Sequence, residues 1–293
     1  MASTRQLKSR IRSVGSTKQI TRAMQMVAAS KMRRAQEATK ASAPYAAAGS
    51  ELLANLAAHT VTSDHPLFAR REIKRRLIIF VAADKGLAGA YNTNVLKKYL
   101  ELLRRDEERA ITNTTITIGR KASQFATRLK GVDVTGSYDD MPDHPAGLAF
   151  KTIHSTATDM FTRREVDAVT LVYTNFISSI NQKAQWMRLL PAGTTISSEA
   201  EDDPEPKNEV KYEPNVEEVL EAVVSRMLGA TLFQALLDSR ATEHSMRMIA
   251  MKNATDNASD LIEDLTLAMN KARQGAITQE LAEISSGVEA MSQ

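Results

Sequence analysis

The chain has no cysteine, and only 5% of its 293 residues are aromatic. The lack of cysteine excludes disulfide bonds, thiolate metal sites, thiol regulation and cysteine nucleophiles, and it is compatible with a reducing cytoplasm. No stretch approaches the roughly 18 consecutive apolar residues that a membrane span needs, and no apolar signal core follows the first residues. We therefore expect a protein that folds in water and stays where it is made.

Sequence patterns for catalysis and metal binding are also missing. The five histidines occur singly, and there is no H-E-x-x-H pattern, no pair of carboxylates at ligand spacing and no G-x-S-x-G turn. A glycine-rich run at residues 83–90 (ADKGLAGA) follows an apolar stretch, but its spacing fits neither G-x-G-x-x-G nor G-x-x-x-x-G-K-[ST]. We interpret this run as a tight turn, and we predict no catalytic, cofactor-binding or metal-binding residue.

Positive charge is concentrated near the N-terminus. Residues 1–40 contain ten lysines and arginines against one acid, Glu37, so this segment carries +9 in a chain whose total is +3. Such a segment suits an acidic partner, whether nucleic acid, anionic lipid or an acidic protein loop. A solvated helix face is the simpler alternative.

A long helix is predicted for residues 7–56. Apolar or small side chains recur there at steps of three and four, the periodicity of a helix with one packed face. Gly15 and Pro44 interrupt the pattern, and Pro44 is expected to bend or break the helix because an interior proline removes a backbone hydrogen bond. The recurring positions are Leu7, Ile11, Val14, Thr17, Ile20, Met24, Ala28, Met32, Ala35 and Ala38.

The middle of the chain, from about Pro66, alternates short strand-like runs with helical stretches. This alternation predicts an inserted α/β domain with a mostly parallel, Rossmann-like sheet. The next segment, residues 197–213, holds seven acids and two prolines and is typical of an exposed loop. Strands are expected at residues 77–83, 114–119, 166–176 and 184–190, and helices at residues 92–108, 121–130 and 146–163.

The C-terminal segment, from Pro214 onward, predicts a second long helix. A stripe of apolar or small residues steps three and four through four heptads, which indicates a left-handed supercoil with a partner helix. A helix of about 75 residues would be about 110 Å long, too long for a compact domain of this size. The stripe consists of Met248, Met251, Thr255, Ala258, Ile262, Leu265, Met269, Ala272 and Ala276.

These pieces predict an α/β fold with long helices. The N- and C-terminal segments form an antiparallel two-helix coiled coil, and the α/β domain lies where the chain turns back. The expected divisions are a first helix at 1–60, the α/β domain at 66–196, an acidic loop at 197–213 and a second helix at 214–293. Because alanine, methionine and threonine dominate the seam, each layer contributes little hydrophobic free energy. Such a rod should be stable mainly when another structure holds it.

Several motifs resemble those of the ATP synthase gamma subunit family. Residues 20–36 (ITRAMQMVAASKMRRAQ) are similar to the N-terminal signature of that family. Residues 247–257 (RMIAMKNATDN) and 270–284 (NKARQGAITQELAEI) are similar to its C-terminal signature, and residues 83–92 (ADKGLAGAYN) resemble its motif after the first strand. The motifs occur in the family's order and span the whole chain.

The resemblance implies a non-catalytic rotor. In the family, the coiled coil fills a ring of alpha and beta subunits, and the α/β domain lies near the membrane with the epsilon subunit and the c-ring. Ion flow turns the shaft, and its asymmetry holds the catalytic sites of the ring in different states. The implied location is peripheral, on the cytoplasmic face of the bacterial inner membrane. No cofactor and no nucleic acid are implied as partners.

The resemblance also assigns contact residues. By motif position, the residues that couple the shaft to the ring are Met24, Arg247, Gln274, Thr278 and Glu280. Arg247 would offer a planar charged group to beta-subunit carboxylates, and Gln274, Thr278 and Glu280 would form hydrogen bonds that depend on the rotor angle.

Further contacts are implied at the two ends of the shaft. Tyr212, Glu213 and Pro214 resemble the foot that meets the c-ring and the epsilon subunit. The acidic, proline-containing segment before them is longer than the common bacterial form. Residues 275–293 should lie in an apolar bearing at the top of the ring.

Two other interpretations compete with a rotor. A basic coiled-coil protein could bind nucleic acid through residues 1–40, although the α/β domain has no RNA-stacking aromatics and no helix-turn-helix signal. A nucleotide-dependent enzyme would depend only on the glycine-rich run at residues 83–90.

Overall fold

The computed structural model describes residues 4–57, 65–193, 195–196, 201–202 and 216–291. The chain forms two compact units, one of residues 1–28 with 248–293 (unit 1) and one of residues 29–247 (unit 2). The helices are α1 Thr4–Ala57, α2 Tyr91–Glu108, α3 Arg120–Ala126, α4 Leu148–Thr162 and α5 Val216–Met291. The strands are β1 Arg75–Val81, β2 Thr112–Ile118, β3 Asp133–Tyr138, β4 Ala168–Phe176, β5 Gln182–Leu190, β6 Thr195–Ile196 and β7 Glu201–Asp202.

Unit 1 is a pair of helices from the two ends of the chain. On α1 its buried residues are Leu7, Thr21 and Ala28, which are separated by multiples of seven. The hydroxyls of Thr21 and Thr255 meet across the seam at 2.8 Å. The predicted antiparallel coiled coil of the N- and C-terminal helices is thus confirmed, and Met24 and Met269 both lie in this unit.

The exact seam on α1 differs from the sequence prediction. Thr17 and Ile20 were expected in the packed stripe, yet both are exposed, and Ile20 is 60% accessible. Lys18 is half-buried and Thr21 is buried in their place. The seam passes through two series of every seventh residue, one from Leu7 that includes Thr21 and one from Ile11 that includes Lys18. A lysine can lie in the seam because its aliphatic stem packs while its ammonium group reaches water.

Unit 2 contains a five-stranded sheet in the order β3-β2-β1-β4-β5. The first four strands are parallel, and β5 pairs with β4 in the antiparallel sense, so the predicted mostly parallel sheet is confirmed. In β1, Ile78 and Phe80 pack against α2, while Leu77 and Ile79 join the core on the opposite face. Both faces of β1 are covered, which explains its uninterrupted apolar sequence.

Parts of the long helices belong to the core of unit 2. Leu53 and Leu56 of α1 and Leu228 and Leu232 of α5 are buried in the same cluster as Ile79. For this reason the compact units do not coincide with divisions drawn at residues 60 and 214. The divisions at residues 60 and 214 were placed where the sequence periodicity changes between strand and helix. A compact unit is instead defined by which residues contact each other in space.

Helices α1 and α5 are antiparallel within unit 2. The Thr39 carbonyl accepts a hydrogen bond of 3.5 Å from the Gln234 side chain, and ten residues later Gly49 packs on Met227, seven residues earlier on α5. Pro44 lies between these contacts, and α1 continues through it. The expected break is therefore absent, since packing on both sides holds the helical path despite the missing N–H donor.

Three short strands were not predicted. β3 lies at the edge of the sheet, carries mostly polar or small residues, and pairs with β2 through a register shift. β6 and β7 pair with each other, and β7 falls inside the segment expected to be an acidic loop. Among the described residues, no helix has both the length and the hydropathy that crossing a membrane requires.

Candidate functional site

The carboxyl ends of the parallel strands form one edge of the sheet in unit 2. In open α/β sheets this edge is the usual place for ligands. Here the turns after β1 and β3 and the turn between β4 and β5 all contact α1 or α5. We call this set of contacts the collar. Its loop residues are Asp84, Lys85 and Gly86 after β1, Met141 and Asp143 after β3, and Ser179 before β5.

The part of α5 in the collar is polar yet buried. Residues 238–245 (DSRATEHS) include Glu243 at 4% and His244 at 3% exposure, in the middle of a helix whose preceding turns are apolar. Burying a charged group without partners costs several kcal/mol or more. The partners of these side chains therefore define what the site does.

Arg240 is the central cation of the collar. Its Nη2 donates to Asp84 Oδ2 at 3.2 Å and to the Met141 carbonyl at 2.7 Å, and its Nη1 donates to Glu243 Oε2 at 2.9 Å. Burial disfavours the charged guanidinium, but Glu243 and Asp84 outweigh that effect and raise the pKa of Arg240. The side chain thus stays charged and joins α5 to two loops.

Asp84 connects this cation to the sheet. Its Oδ1 accepts backbone N–H bonds from Asp140 at 2.9 Å and Arg120 at 3.1 Å. Burial raises the pKa of the carboxyl, but these two donors together with Arg240 lower it below its ordinary value overall. Asp84 therefore remains ionised and ties the turn after β1 to α3, to the loop after β3 and to α5.

Arg247, a predicted coupling residue, also lies in the collar. Its Nη2 donates to Glu243 Oε1 at 2.7 Å and lies 3.4 Å from the carbonyls of Lys85 and Gly86. Its side chain is 12% exposed. The guanidinium that we expected to be available to another subunit is thus engaged inside this chain.

A second group of contacts bridges the two long helices. Asp143 receives Lys31 Nζ of α1 at Oδ2 and His244 Nε2 of α5 at Oδ1, each at 3.0 Å. Burial lowers the pKa of His244 more than Glu243 and Asp143 raise it, which favours the neutral imidazole. Burial also opposes ionisation of Asp143, but hydrogen bonds from Lys31 and His244 outweigh it and lower the pKa of Asp143.

The turn between β4 and β5 makes a similar bridge. The Ser179 hydroxyl accepts from Gln36 Nε2 of α1 at 2.9 Å. The Ser179 carbonyl accepts from the Ser245 hydroxyl of α5 at 2.8 Å. Two separate loops of the sheet therefore hold both helices over the same short stretch.

Gly119 allows the strands and helices at this edge to approach closely. It has a φ of +94°, and a Cβ atom there would collide with the carbonyl oxygen of Ala82. Only glycine combines that dihedral angle with such an approach. The residue positions the first turn of α3, whose Arg120 N–H bonds to Asp84.

The collar is arranged to hold a helix, with little room for a ligand. The cavity between Tyr91, Ser239 and Arg240 has a volume of about 10 Å³, the space of roughly one water molecule. In the part of the chain that the structure describes, no group of three or more acidic or histidine side chains could hold a metal ion. The glycine-rich run at residues 83–90 acts as a structural turn that carries Asp84.

The other predicted coupling residues lie in unit 1. Met24 is half-buried on α1, and Gln274, Thr278 and Glu280 are exposed on α5. The Thr278 hydroxyl donates within its own helix, to the Gln274 carbonyl at 2.9 Å. The structure therefore groups Met24 with the three C-terminal residues in one unit, while Arg247 belongs to the other. The predicted foot residues Tyr212, Glu213 and Pro214 lie outside the described residues.

Sequence reasoning missed most of the collar. Asp84, Arg240 and Glu243 were not selected, and His244 was set aside as a solitary histidine. The sequence did carry one signal. In α5 the apolar residues 235–237 (ALL) are directly followed by a cluster of charged residues. Charges that interrupt the apolar face of a helix need buried partners, and those partners come from loops distant in sequence.

Comparisons with known proteins place the chain in a family. The sequence model of a family described as ATP synthase matches residues 3–291. The ATP synthase gamma chains of Stenotrophomonas maltophilia (strain R551-3) and Xylella fastidiosa (strain M12) are each 41% identical over 292 residues, covering 99% of this chain and all of theirs. That of Xanthomonas campestris pv. campestris (strain B100) is 40% identical over the same span.

Solved structures share the fold. A chain from the mitochondrial ATP synthase of Euglena gracilis, in an OSCP/F1/c-ring assembly, aligns with a TM-score of 0.65 at 17% identity, covering 98% of this chain and 94% of that one. A chain from the central stalk and c-ring of the Tetrahymena thermophila enzyme aligns with a TM-score of 0.57 at 23% identity, covering 80% and 99%. With relatives about 40% identical along nearly its whole length, this chain belongs to the ATP synthase gamma chain family.

Proposed function

We propose that this chain is the central rotor stalk of an F-type ATP synthase. It couples ion-driven rotation of the c-ring to conformational cycling of the alpha and beta subunits during ATP synthesis, and it runs in reverse during hydrolysis. It is a non-catalytic subunit, because the catalytic sites of the complex lie in the beta subunits. The observation that carries this proposal is the family membership along the entire length of the chain.

The surface of unit 1 supports a role inside a surrounding ring. On α1, Ile20, Met26 and Val27 are each about 60% exposed. On α5, every residue from 273 to 286 is exposed, including Ile277 and Leu281. Apolar side chains on a two-helix unit are expected to be covered by a partner. A sleeve of alpha and beta subunits would cover both faces at once.

The charge of α1 supports an acidic partner. The cations at Arg5, Lys8, Arg10, Arg12 and Arg22 are all exposed. We assign them to acidic loops of the beta subunits, which would sweep past this face as the rotor turns. Their attraction would be long-ranged and would weaken with salt.

The mechanism is a shift of populations. A rotor face that contacts one conformation of a beta subunit more favourably than another biases that subunit toward the first. Rotation then presents the face to the next subunit, so the bias passes around the ring. Residues that make polar contacts at one rotor angle and break them at another determine how strongly the conformation of a beta subunit depends on that angle.

We assign direct coupling contacts to Gln274, Thr278 and Glu280, since their side chains are exposed and are not needed for the fold of this chain. Met24 lies at the edge of the seam and would contribute packing. Arg247 could reach a partner carboxylate only by exchanging Glu243 or the carbonyls of the turn after β1. Its role would therefore be an exchange of partners during rotation.

The remaining assignments concern the membrane side of the complex. We place Tyr212, Glu213 and Pro214 at the contact with the c-ring and the epsilon subunit. The chain would be a peripheral component on the cytoplasmic face of the bacterial inner membrane. Copurification of alpha, beta and epsilon subunits with this chain from its host would support the assignment, and recovery of the chain free of them would contradict it.

The coupling contacts can be tested in the assembled enzyme. Replacing Gln274, Thr278 and Glu280 together by alanine should lower the ratio of ATP-driven proton pumping to ATP hydrolysis. Gln279→Ala with Glu283→Ala is a matched control, because these exposed neighbours on the same stretch of α5 bond to each other. The thermal unfolding of the purified chain should be the same for all variants. An unchanged pumping ratio in the triple variant would remove these residues from the coupling contact.

A further inference from the structure

The collar grips both long helices at the end of the α/β body. Helix α1 enters unit 2 at Ala29 and α5 leaves it after Arg247. The collar contacts fall at Lys31 and Gln36 on α1 and between residues 240 and 247 on α5. The α/β body therefore holds the two helices by polar groups at the place where they leave it.

Polar and apolar contacts resist twisting differently. Deeper in unit 2 the helices are held by apolar side chains such as Leu53, Leu56, Leu228 and Leu232. Burial of apolar area has no preferred direction, so a helix can turn slightly about its axis with little change in that term. Hydrogen bonds to charged groups weaken when their distance and angle change. Orientation-dependent contacts from the sheet loops to both long helices are thus concentrated in the collar.

We propose that the collar is the torsional coupling of the rotor, through which twist passes between the α/β body and the helix pair. The inference rests on the rotor function proposed above. Asp84, Arg240 and Glu243 fix the rotational position of α5 against the turn after β1, and Asp143 and Ser179 fix α1 and α5 to each other. These are positioning residues that stiffen the shaft, with no direct contact to the catalytic ring required.

The arrangement around Arg240 fits this role. One guanidinium bonds a carboxylate of the sheet edge, a carbonyl of the loop after β3 and a carboxylate of its own helix. The planar arginine group fixes three partners in one orientation, which a lysine ammonium on its flexible stem cannot do. Rotation of α5 about its axis would stretch the bonds to Asp84 and to the Met141 carbonyl together, while Glu243 turns with the helix and keeps the guanidinium in place.

The same body contains a matched control. Arg76 at the start of β1 binds Asp106 of α2 at 2.7 and 3.0 Å, with both side chains buried, and also donates to Thr170. This pair lies at the amino end of β1, and among the described residues it bonds to neither long helix. Arg76→Lys should therefore weaken the fold in the way Arg240→Lys does without touching the collar.

The experiment uses the assembled enzyme with its head fixed and a probe on the c-ring. Angular fluctuations of the probe, measured while catalysis is stalled, report the stiffness of the rotor. We expect Arg240→Lys and Asp84→Asn to raise the angular variance about twofold or more, because each loses charge-assisted bonds between α5 and the sheet edge. Arg76→Lys should leave the variance at the wild-type value even though its unfolding temperature falls.

Asp143→Asn provides a second test, since Asp143 is half-exposed and its replacement should not prevent folding. It should raise the variance by a smaller factor by weakening the link between Lys31 and His244. If Arg240→Lys does not assemble, an increase with Asp143→Asn supports the collar and an unchanged value overturns it. If the wild-type complex rotates and the collar variants show the same angular variance as Arg76→Lys, the collar is not the torsional coupling. That result would leave the proposed rotor function unaffected.

Discussion

The hydroxyl of Thr21 lies 2.8 Å from the hydroxyl of Thr255, and both are buried in the seam of unit 1. Each hydroxyl can also donate along its own helix, Thr21 to the Lys18 carbonyl at 3.1 Å and Thr255 to the Met251 carbonyl at 2.8 Å. One hydroxyl can therefore donate its hydrogen bond across the seam while the other donates to a backbone carbonyl of its own helix. A buried polar pair in a seam favours the one register that joins its two members, and the neighbouring seam residues here are mostly small or flexible.

Replacing Thr255 by valine should destabilise the helix pair by about 1 kcal/mol, the usual net value of one hydrogen bond. The methyl groups preserve the shape of the seam, and the Thr21 hydroxyl keeps the Lys18 carbonyl as a partner. A double-mutant cycle with Thr21→Val, read from thermal unfolding of the full chain, isolates the coupling between the two residues. Thr266→Val is the control, because its hydroxyl bonds within α5 at 2.7 Å. Additive effects would show that the hydroxyls do not interact.

Asp238 should make the stability of the chain depend on pH. Burial raises the pKa of this carboxyl to about 7, although Gln234 donates to it at 2.9 Å. Between pH 4 and 7 the folded chain keeps this proton while the unfolded chain releases it, so the contribution of Asp238 to stability falls as pH rises. Asp238→Asn removes that loss. The free energy of unfolding of the variant should therefore exceed that of wild type by a difference that grows with pH, to at most about 4 kcal/mol by pH 8.

The difference between Asp238→Asn and wild type is the quantity to measure, by chemical denaturation of the full chain at pH 5 and pH 8. His154 and His244 act in the opposite direction, since burial lowers the pKa of each and their contribution is lost as pH falls. Both histidines are present in both proteins, so their effect cancels. Asp260→Asn, at an exposed position of the same helix, is the control. A pH-independent difference would contradict the assignment.

Gly119→Ala should disrupt the edge of the sheet. Its positive φ and the collision with the Ala82 carbonyl together should cost several kcal/mol. Gly131→Ala isolates the dihedral effect, since Gly131 has a φ of +81° with no atom within 4 Å of the added Cβ. Its cost should be about 1 kcal/mol. Equal unfolding temperatures for the two variants would mean that the close approach at Gly119 is unimportant.

Asp106→Ala should destabilise unit 2 by about 3–5 kcal/mol, because it leaves the Arg76 guanidinium buried without its counter-ion. The two side chains are only 1% and 5% exposed. Lys98 forms a more exposed ion pair with Glu101. Lys98→Ala should change the free energy of unfolding by less than about 1 kcal/mol. Thermal unfolding of both variants measures the contrast, and a small effect of Asp106→Ala would indicate that water reaches Arg76.

The fold could be predicted where one periodicity dominated a segment. The buried run in β1 and the stripe that includes Met251, Thr255 and Ala258 gave the right elements, because burial on one face or on two leaves a repeat in the sequence. The same rule failed at Ile20, since an apolar side chain on an exposed face of a helix leaves the same signature in the sequence as one that faces a seam. Sequence periodicity cannot distinguish the two.

The collar could not be predicted for a different reason. Asp84 and Arg240 are 156 positions apart, and the contact depends on where the chain places the ends of β1 and the middle of α5. Neither residue belongs to a local pattern for a charged site. By contrast, the predicted contacts at Gln274, Thr278 and Glu280 came from resemblance alone, and they stay predictions.

The exposed stretch of α5 from residue 273 to residue 286 has a consequence for biosynthesis. A newly made copy without its partner subunits would present Ile277, Leu281 and Ile284 to chaperones and proteases. Surplus copies should then be degraded while incorporated ones persist. The cellular level of this protein would in that way follow the supply of the subunits that enclose it, without a dedicated regulator.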